Sequence, residues 1–330
     1  MRYFITGATG FIGSNLARRL AGQGHQVRAL IRKRSRAGLL ENKNIDLIEG
    51  TLMDTQILLK AMEGVDGVFH LAAYAKPWAK DPTHYNRINL QGTLNILEAA
   101  QQQGVTKVVF TSTAGTLGPS LNGPVNETTP RLHDFFNEYE STKFMAEKAV
   151  KDYVLKGMNI SIVHPSRVYG PGVLSKSNSV TIMVKNFLKG LWRIIPGDGN
   201  KMGNYVYIDD VVDGHIAALE KGKPGEQYIL GGENASYADF FHTIQSLSGK
   251  NYRLFKIPVS LLVAFTTLQM TLAGLIKRPP LIPPKWVRKY MYNWELDSTK
   301  AENELDYHIT PLKTGLLHTI HWLENQSSHE

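Results

Sequence analysis

Thr6-Gly7-Ala8-Thr9-Gly10-Phe11-Ile12-Gly13 spaces three glycines as G-x-x-G-x-x-G. Before it, Arg2 to Thr6 is a short run rich in strand formers; after it, residues 12–21 are amphipathic with a helical period. Glycines suit a tight turn over which strand and helix pack closely, and the helix N-terminus offers free N–H groups and a favourable dipole to phosphate. A glycine triplet alone says little. Between a strand and a helix, with another strand about twenty residues on, it predicts a dinucleotide pyrophosphate site at Gly7, Gly10 and Gly13, with Thr9, Phe11 and Ile12 completing the turn.

Working outward, residues 27–31, 45–49, 65–71, 107–112 and 160–164 are further apolar runs rich in Val, Ile and Phe. Amphipathic stretches at 56–62 and 92–103 lie between some of them. Strand and helix alternating at this pitch predict parallel βαβ units, hence an α/β Rossmann-type doubly wound sheet whose ligands bind beyond the carboxyl ends of its strands. The expected division is a dinucleotide-binding domain over 1–172, its sheet completed by about 203–231, and a smaller C-terminal substrate-binding region over 173–330. In that region Ser236 reads as a cap for a helix over 237–247, and 316–323 as a closing amphipathic helix.

The 330 residues suffice for a large core. With no cysteine, the chain has no disulfide framework, thiolate metal site or cysteine nucleophile. The N-terminus runs straight into the glycine turn without an apolar leader, so a cytoplasmic protein is expected.

The 37 Lys and Arg against 29 Asp and Glu give a net charge of +8, part of it in Arg28, Arg32, Lys33, Arg34 and Arg36. The end of the second strand reads Leu30-Ile31-Arg32-Lys33-Arg34, without the carboxylate that usually accepts ribose hydroxyls in NAD enzymes. Arg32 and Lys33 would complement a 2′-phosphate, so NADP is expected ahead of NAD. No nucleic-acid recognition motif accompanies the charge.

Tyr139-Glu140-Ser141-Thr142-Lys143 places a phenol and an ammonium four residues apart, on one face if the segment is helical. The ammonium is expected to lower the phenol's pKa and make Tyr139 a general acid or base. Thr111-Ser112-Thr113-Ala114-Gly115, at the preceding strand end, supplies hydroxyls for a substrate oxygen.

With those motifs in hand, the chain resembles the extended short-chain dehydrogenases/reductases, which include NDP-sugar epimerases and dehydratases, dihydroflavonol reductases and 3β-hydroxysteroid dehydrogenases. The resemblance also rests on HLAA at His70 to Ala73, NLQGT at Asn89 to Thr93, PSRVYGPG at Pro165 to Gly172 and YVYIDDV at Tyr205 to Val211. It implies Tyr139 as acid/base and Lys143 as the residue that tunes it and binds the nicotinamide ribose. Thr113, five residues before Gly118, takes the family serine's place, with Ser112 as fallback and cofactor neighbour. It further implies Leu71, Ala72 and Ala73 beside ribose and pyrophosphate, Pro165 and Val168 beside nicotinamide, and Thr51 and Leu52 beside adenine. Thr51 stands where the family commonly has Asp; Asp54 is read as the cap of the helix beginning at Thr55. Asn89 either helps position the lysine or packs its segment against the neighbouring strand. His70 is read as a buried, hydrogen-bonded strand-end residue without a catalytic role, and Asp209 and Asp210 are read as structural, with no metal site.

Two departures bear on substrate. Gly203 stands where NDP-sugar enzymes commonly carry a diphosphate-gripping Arg, and Arg167 where they carry Asn. Losing a charge-assisted contact costs roughly 1.5–3 kcal/mol, unless Lys201 or Arg167 substitutes. Residues 257–276 hold no charge and open with Pro258 at a plausible first helical position. They read first as a helix packed on the core, next as a helix on a membrane surface beside Lys256, Lys277, Arg278, Lys285, Arg288 and Lys289, and last as a span. Tyr74, Trp78, Phe135, Phe136 and Trp192 are candidate pocket walls, or core. The expectation is an oxidoreductase interconverting an alcohol and a ketone or aldehyde on a lipophilic small molecule, with an NDP-sugar epimerase or dehydratase as the alternative. Peripheral membrane contact through 257–289 and a homodimer are left as options.

Overall fold

The computed structural model describes residues 1–34, 38–175, 178–275 and 282–327; Arg36, Lys277 and Arg278 lie outside them. The six sequence runs form β1 (Arg2–Thr6), β2 (Gln26–Ile31), β3 (Ile45–Glu49), β4 (Gly67–His70), β5 (Lys107–Thr111) and β6 (Asn159–Pro165). After them come β7 (Arg167–Tyr169), β8 (Ile194–Pro196), β9 (Met202–Tyr207), β10 (Gln227–Leu230), β11 (Glu233–Ser236) and β12 (Phe255–Ile257).

The main sheet has the order β10-β6-β5-β4-β1-β2-β3, with every neighbouring pair parallel. Alternate side chains feed two cores, as a sheet covered on both faces requires. Ile5, Phe69, Val109 and Val163 pack with the helices Phe11–Gly22 and Ile208–Lys221. Phe4, Val68, Phe110 and Ile162 pack with the helices Thr55–Met62, Gly92–Gln102 and Glu138–Leu155. Strand order reverses between β1 and β4, so the segments leaving these two strands flank a crevice at the sheet's carboxyl edge.

Only part of 203–231 completes this sheet. β10 does so beside β6, whereas β9 pairs with β7 and β11 in a separate three-stranded sheet, and β8 pairs with β12. β7 begins two residues past the end of β6. The small sheet therefore continues from the carboxyl edge where the crevice lies.

Ser236 caps its helix, accepting a hydrogen bond from Asp239 N at 3.0 Å. Asp54 does not cap. Its carboxylate turns back to Thr51 and accepts from that residue's N–H at 2.6 Å and hydroxyl at 2.7 Å, which holds its pKa below the usual carboxylate range. The closing helix is longer than the read segment, Leu312–Ser327.

The uncharged stretch forms the helix Val259–Leu275, which begins after Pro258 rather than at it. It is not simply packed on the core, for Leu261, Phe265 and Leu268 are 60%, 62% and 62% exposed. Among the described residues no helix is long and apolar enough to cross a membrane.

Candidate active site

The glycine turn owes its shape first to the chain itself. Gly7 has φ +75°, and a Cβ there would lie 2.8 Å from Ala72 N, so the turn and the strand end at Leu71–Ala72 touch backbone to backbone. A Cβ on Gly13 would overlap the Gly7 carbonyl, which fixes how closely the first helix approaches the loop. At Gly10, the helix N-cap, a Cβ would meet only Gly7 O, at 3.1 Å. The face of Gly10 and the free N–H groups of the first turn are thus shaped to take a phosphate.

Arg32, Lys33 and Arg34 are exposed just past β2. Arg28 is not part of that cluster, because its guanidinium donates to the carbonyls of Ala61 and Glu63 at 3.0 and 2.7 Å. Glu49, which pairs with Ile31 in the β2–β3 register, is exposed at the neighbouring strand end. Thr51 is exposed, while Leu52 is buried against Gly92. Pro165 and Val168 are buried at the junction of β6 and β7.

Tyr139 and Lys143 lie on the helix Glu138–Leu155, capped by Asn137, whose side chain accepts from Glu140 N at 3.0 Å. Tyr139 shares a hydrogen bond with Thr113, so the helix meets the end of β5 there. Ser112 is committed elsewhere: its hydroxyl donates to the buried carboxylate of Glu147. Thr113 rather than Ser112 is the hydroxyl available beside the phenol. Glu147 was not read from the sequence, although Tyr139, Lys143 and Glu147 fall at i, i+4 and i+8 on one helix face, a spacing that exposes it.

The phenol's pKa is not lowered. Burial pushes Tyr139 up to about 12, the Thr113 hydrogen bond opposes this, and the Glu140 and Glu147 charges add to it. Lys143 is only 1% exposed and rests 3.9 Å from the centroid of the Phe110 ring. Burial pulls it down to about 7, against the supporting charge of Glu147. An ammonium so desolvated cannot outweigh the burial of its neighbour.

Beneath the site runs a chain of hydrogen bonds through His70, which is buried and hydrogen-bonded at the strand end as its reading expects. Ala72 N donates to Thr6 Oγ1, which meets His70 Nδ1 at 2.7 Å. His70 Nε2 meets Thr93 Oγ1 at 3.0 Å, and that hydroxyl donates to Asn89 O. With Thr93 donating onward, His70 carries its proton on Nε2 and accepts at Nδ1. Burial, then the Lys143 charge, pulls its pKa down to about 3, so it stays neutral. Asn89 sits in a π-helical turn, Asn86–Gln91, accepts from Tyr74 N at 2.7 Å and donates to Thr142 Oγ1 at 3.0 Å. The asparagine therefore joins the segment after β4 to the Tyr139 helix.

Glu140, beside Tyr139, is a buried anchor for the C-terminal segment. It accepts from Lys289 at 2.7 Å, Arg131 at 3.4 Å, Phe136 N and Asn137 Nδ2. Lys289 lies 149 residues away in sequence, a distance no local pattern bridges. Arg167 lies on β7 with Tyr205 and Tyr237 rings 5.6 and 5.1 Å from its guanidinium carbon.

The aromatic candidates divide. Phe135 carries the Arg131 guanidinium on its face at 4.2 Å. Tyr74 packs edge-on against His84 and Tyr85, and its hydroxyl donates to Trp78 O. Phe136 is buried among His133, Tyr292 and Trp294, and the half-buried Trp192 stacks on Phe241 at the edge of the core, so neither is a free wall. Asp209 pairs with Arg19, and Asp210 accepts from Thr310 N and its hydroxyl.

Residues 3–231 match the model of the NAD dependent epimerase/dehydratase family. A Synechocystis protein named as a dihydroflavonol 4-reductase is 32% identical over 98% of this chain and 94% of its own. A 2-alkyl-3-oxoalkanoate reductase of Stenotrophomonas maltophilia is 32% identical over 68% of this chain and 67% of its own. Among solved structures, a UDP-glucuronic acid 4-epimerase mutant of Bacillus cereus, in complex with a fluorinated UDP-sugar and NAD, has a TM-score of 0.80. It is 26% identical, over 99% of this chain and all of that one.

Proposed function

This chain belongs to the NAD dependent epimerase/dehydratase family and is an NAD(P)-dependent oxidoreductase of the extended short-chain type; from that premise we propose that it interconverts an alcohol and a ketone or aldehyde on a fairly apolar substrate. The observation that carries the reading is the Tyr139–Thr113 hydrogen bond, formed on the helix that also presents Lys143. Thr113 and Tyr139 hold the substrate oxygen between them. Tyr139 then gives or takes the oxygen's proton. Lys143 and the glycine turn hold the dinucleotide, whose nicotinamide supplies or accepts the hydride when bound. The names of two relatives, a reductase of dihydroflavonol and one of an alkyl oxoalkanoate, favour a net redox reaction at a carbonyl carbon.

NADP is the preferred cofactor in this reading, because the exposed Arg32 and Lys33 follow β2 where an NAD enzyme usually has a carboxylate. The alternative is an NDP-sugar epimerase or dehydratase, which the sugar-nucleotide complex of the Bacillus cereus neighbour keeps in view.

One assay separates the two. Sugar nucleotides and hydrophobic alcohols are incubated with NADP or NAD, and reduced cofactor is followed by absorbance. The expected result is net reduced cofactor with hydrophobic alcohols, faster with NADP. The Arg32→Ala variant should weaken NADP binding about tenfold or more and leave NAD nearly unaffected. Turnover of a sugar nucleotide without net cofactor change would replace this reading with the alternative, and equal losses for both cofactors would remove Arg32 from 2′-phosphate recognition.

A further inference from the structure

Arg167 is a part-buried guanidinium with no carboxylate within salt-bridge reach among the described residues. Its surroundings are phenols, and its Nη1 lies 3.5 Å from the Tyr205 hydroxyl. The nearby Lys289 and Arg131 are both committed to Glu140, and Arg131 also donates to the carbonyls of Gly115, Thr116, His133 and Asp134. The Tyr237 hydroxyl, on a residue 2% exposed, has the Arg167 guanidinium as its one polar neighbour and lies within hydrogen-bond distance of no acceptor. A part-buried cation that faces phenols and no anion, with a buried hydroxyl that meets only that cation, is costly to keep unless something else satisfies the pair.

The two departures noted in the sequence are one change in space. A side chain at Gly203 would overlap the Arg167 guanidinium. Arg167 therefore fills the room above Gly203, and the positive charge absent from position 203 is supplied from position 167. β7 starts directly beyond the strand end that carries Pro165, so this charge stands at the carboxyl edge that also holds Tyr139 and Thr113.

Resting on the oxidoreductase reading above, we propose that Arg167, with the Tyr237 hydroxyl, binds a carboxylate on the substrate, so that the enzyme acts on hydroxy or oxo acids with an apolar remainder. One uncommitted guanidinium matches a singly charged carboxylate, held through two parallel N–H donors, better than a diphosphate of twice the charge. The phenol rings around it offer apolar contact to the atoms next to the carboxylate.

The test uses 3-hydroxydecanoate and 5-hydroxydecanoate, each with its methyl ester, together with NADP and UDP-glucose. At least one free acid is expected to exceed its ester about a hundredfold in kcat/KM. Arg167→Gln should remove that preference by lowering acid turnover about a hundredfold, largely through KM, while ester turnover changes less than about threefold. Tyr237→Phe should lower acid turnover several-fold with the ester unaffected. Equal losses on acid and ester would make Arg167 structural, and esters matching acids in the wild type would overturn the carboxylate site while leaving the oxidoreductase intact. Turnover of UDP-glucose alone would instead overturn the reading on which the proposal rests.

A second observation stands independently on the opposite kind of chemistry. On the helix Val259–Leu275 the apolar residues Leu261, Phe265, Leu268 and Leu272 form an exposed stripe, while Thr266 and Gln269 face the protein. Gln269 Oε1 is buried without a partner. The hydroxyls of Thr266, Thr267 and Thr271 all donate to carbonyls of their own helix, so the outer face offers little to water. Phe255 and Ile194, paired between β12 and β8, are exposed too. Residues 240–294 contain no Asp or Glu and eight Lys or Arg: Lys250, Arg253, Lys256, Lys277, Arg278, Lys285, Arg288 and Lys289.

We infer that this face docks on an anionic bilayer, the apolar stripe entering the headgroup boundary and the exposed Lys256, Arg253 and Arg288 meeting lipid charge. Sedimentation with phosphatidylglycerol vesicles should capture the full chain at least tenfold better than with phosphatidylcholine. Raised salt should weaken the capture, and the double variant Phe265→Gln, Leu268→Gln should abolish it. Failure to bind vesicles overturns the inference; if the same variant then dissolves a concentration-dependent dimer, the face joins two copies of this chain instead.

Discussion

Replacing Tyr139 by Phe is expected to lower turnover by about a thousandfold or more, while cofactor affinity and the folded state stay close to wild type. The side chain is half-buried, and in the proposed reaction its hydroxyl carries the proton between substrate oxygen and protein. Its hydrogen bond to Thr113 is a neutral one, worth about 1 kcal/mol, so its loss alone does not unfold the chain. Since burial pushes the phenol up to about 12, the protonated form prevails at neutral pH, and it is the proton donor in carbonyl reduction. The oxidative direction needs the ionised form. At saturating cofactor its rate should rise with pH between about 7 and 9, whereas reduction should not. The check is reduced-cofactor formation by both proteins across pH, with cofactor binding followed by fluorescence. A Phe variant that turns over at the wild-type rate would remove Tyr139 from the chemistry, and an oxidation rate that falls with rising pH would contradict the assigned direction of proton transfer.

The legible part of this site was local. Strand and helix alternation gave the main sheet through β6, because each element carries its own period and its own turn residues. The glycine turn was legible as well, although its strictest demands come from within the fold: Gly7 from the approach of Ala72, and Gly13 from the Gly7 carbonyl. Tyr139 and Lys143 could be paired because four residues separate them on a helix. The same rule reaches Glu147, which the reading missed.

What stayed illegible depends on contacts between distant segments. Lys289 reaches Glu140 across 149 residues. Arg167 and Gly203 each read as an isolated departure until their shared space was visible. The polarity of the Val259–Leu275 helix could not be oriented from sequence, because its small polar residues are scattered and only the fold shows which of them face inward. The phenol's pKa was misjudged for a related reason: proximity to a charge can be read from spacing, but depth of burial cannot.

Replacing Lys143 by Met should separate function from stability more sharply than any other change in this protein. The wild-type ammonium is 1% exposed and held down to about 7, chiefly by burial. Below about pH 7 the lysine is protonated in both folded and unfolded chains, and the whole cost of burying the charge is present. Between about 7 and its ordinary value of 10.5 the folded lysine is largely neutral and the unfolded one still protonated. The unfolded chain then binds more protons, so the wild type gains stability as pH rises through that window. Methionine occupies similar space without the charge. It also forfeits the contact with the Phe110 ring, which offsets part of the gain. The variant should therefore be more stable than wild type by on the order of 2 kcal/mol at pH 6, with the difference shrinking by pH 9.5. Its turnover should fall by roughly a thousandfold, because in the proposed reaction Lys143 holds the nicotinamide ribose beside Tyr139. Urea unfolding at the two pH values, run beside the activity assay, measures both quantities on the same preparation. A variant no more stable than wild type at pH 6 would show that Phe110 and Glu147 fully compensate the buried charge. Retained turnover would show that the proton moves without it.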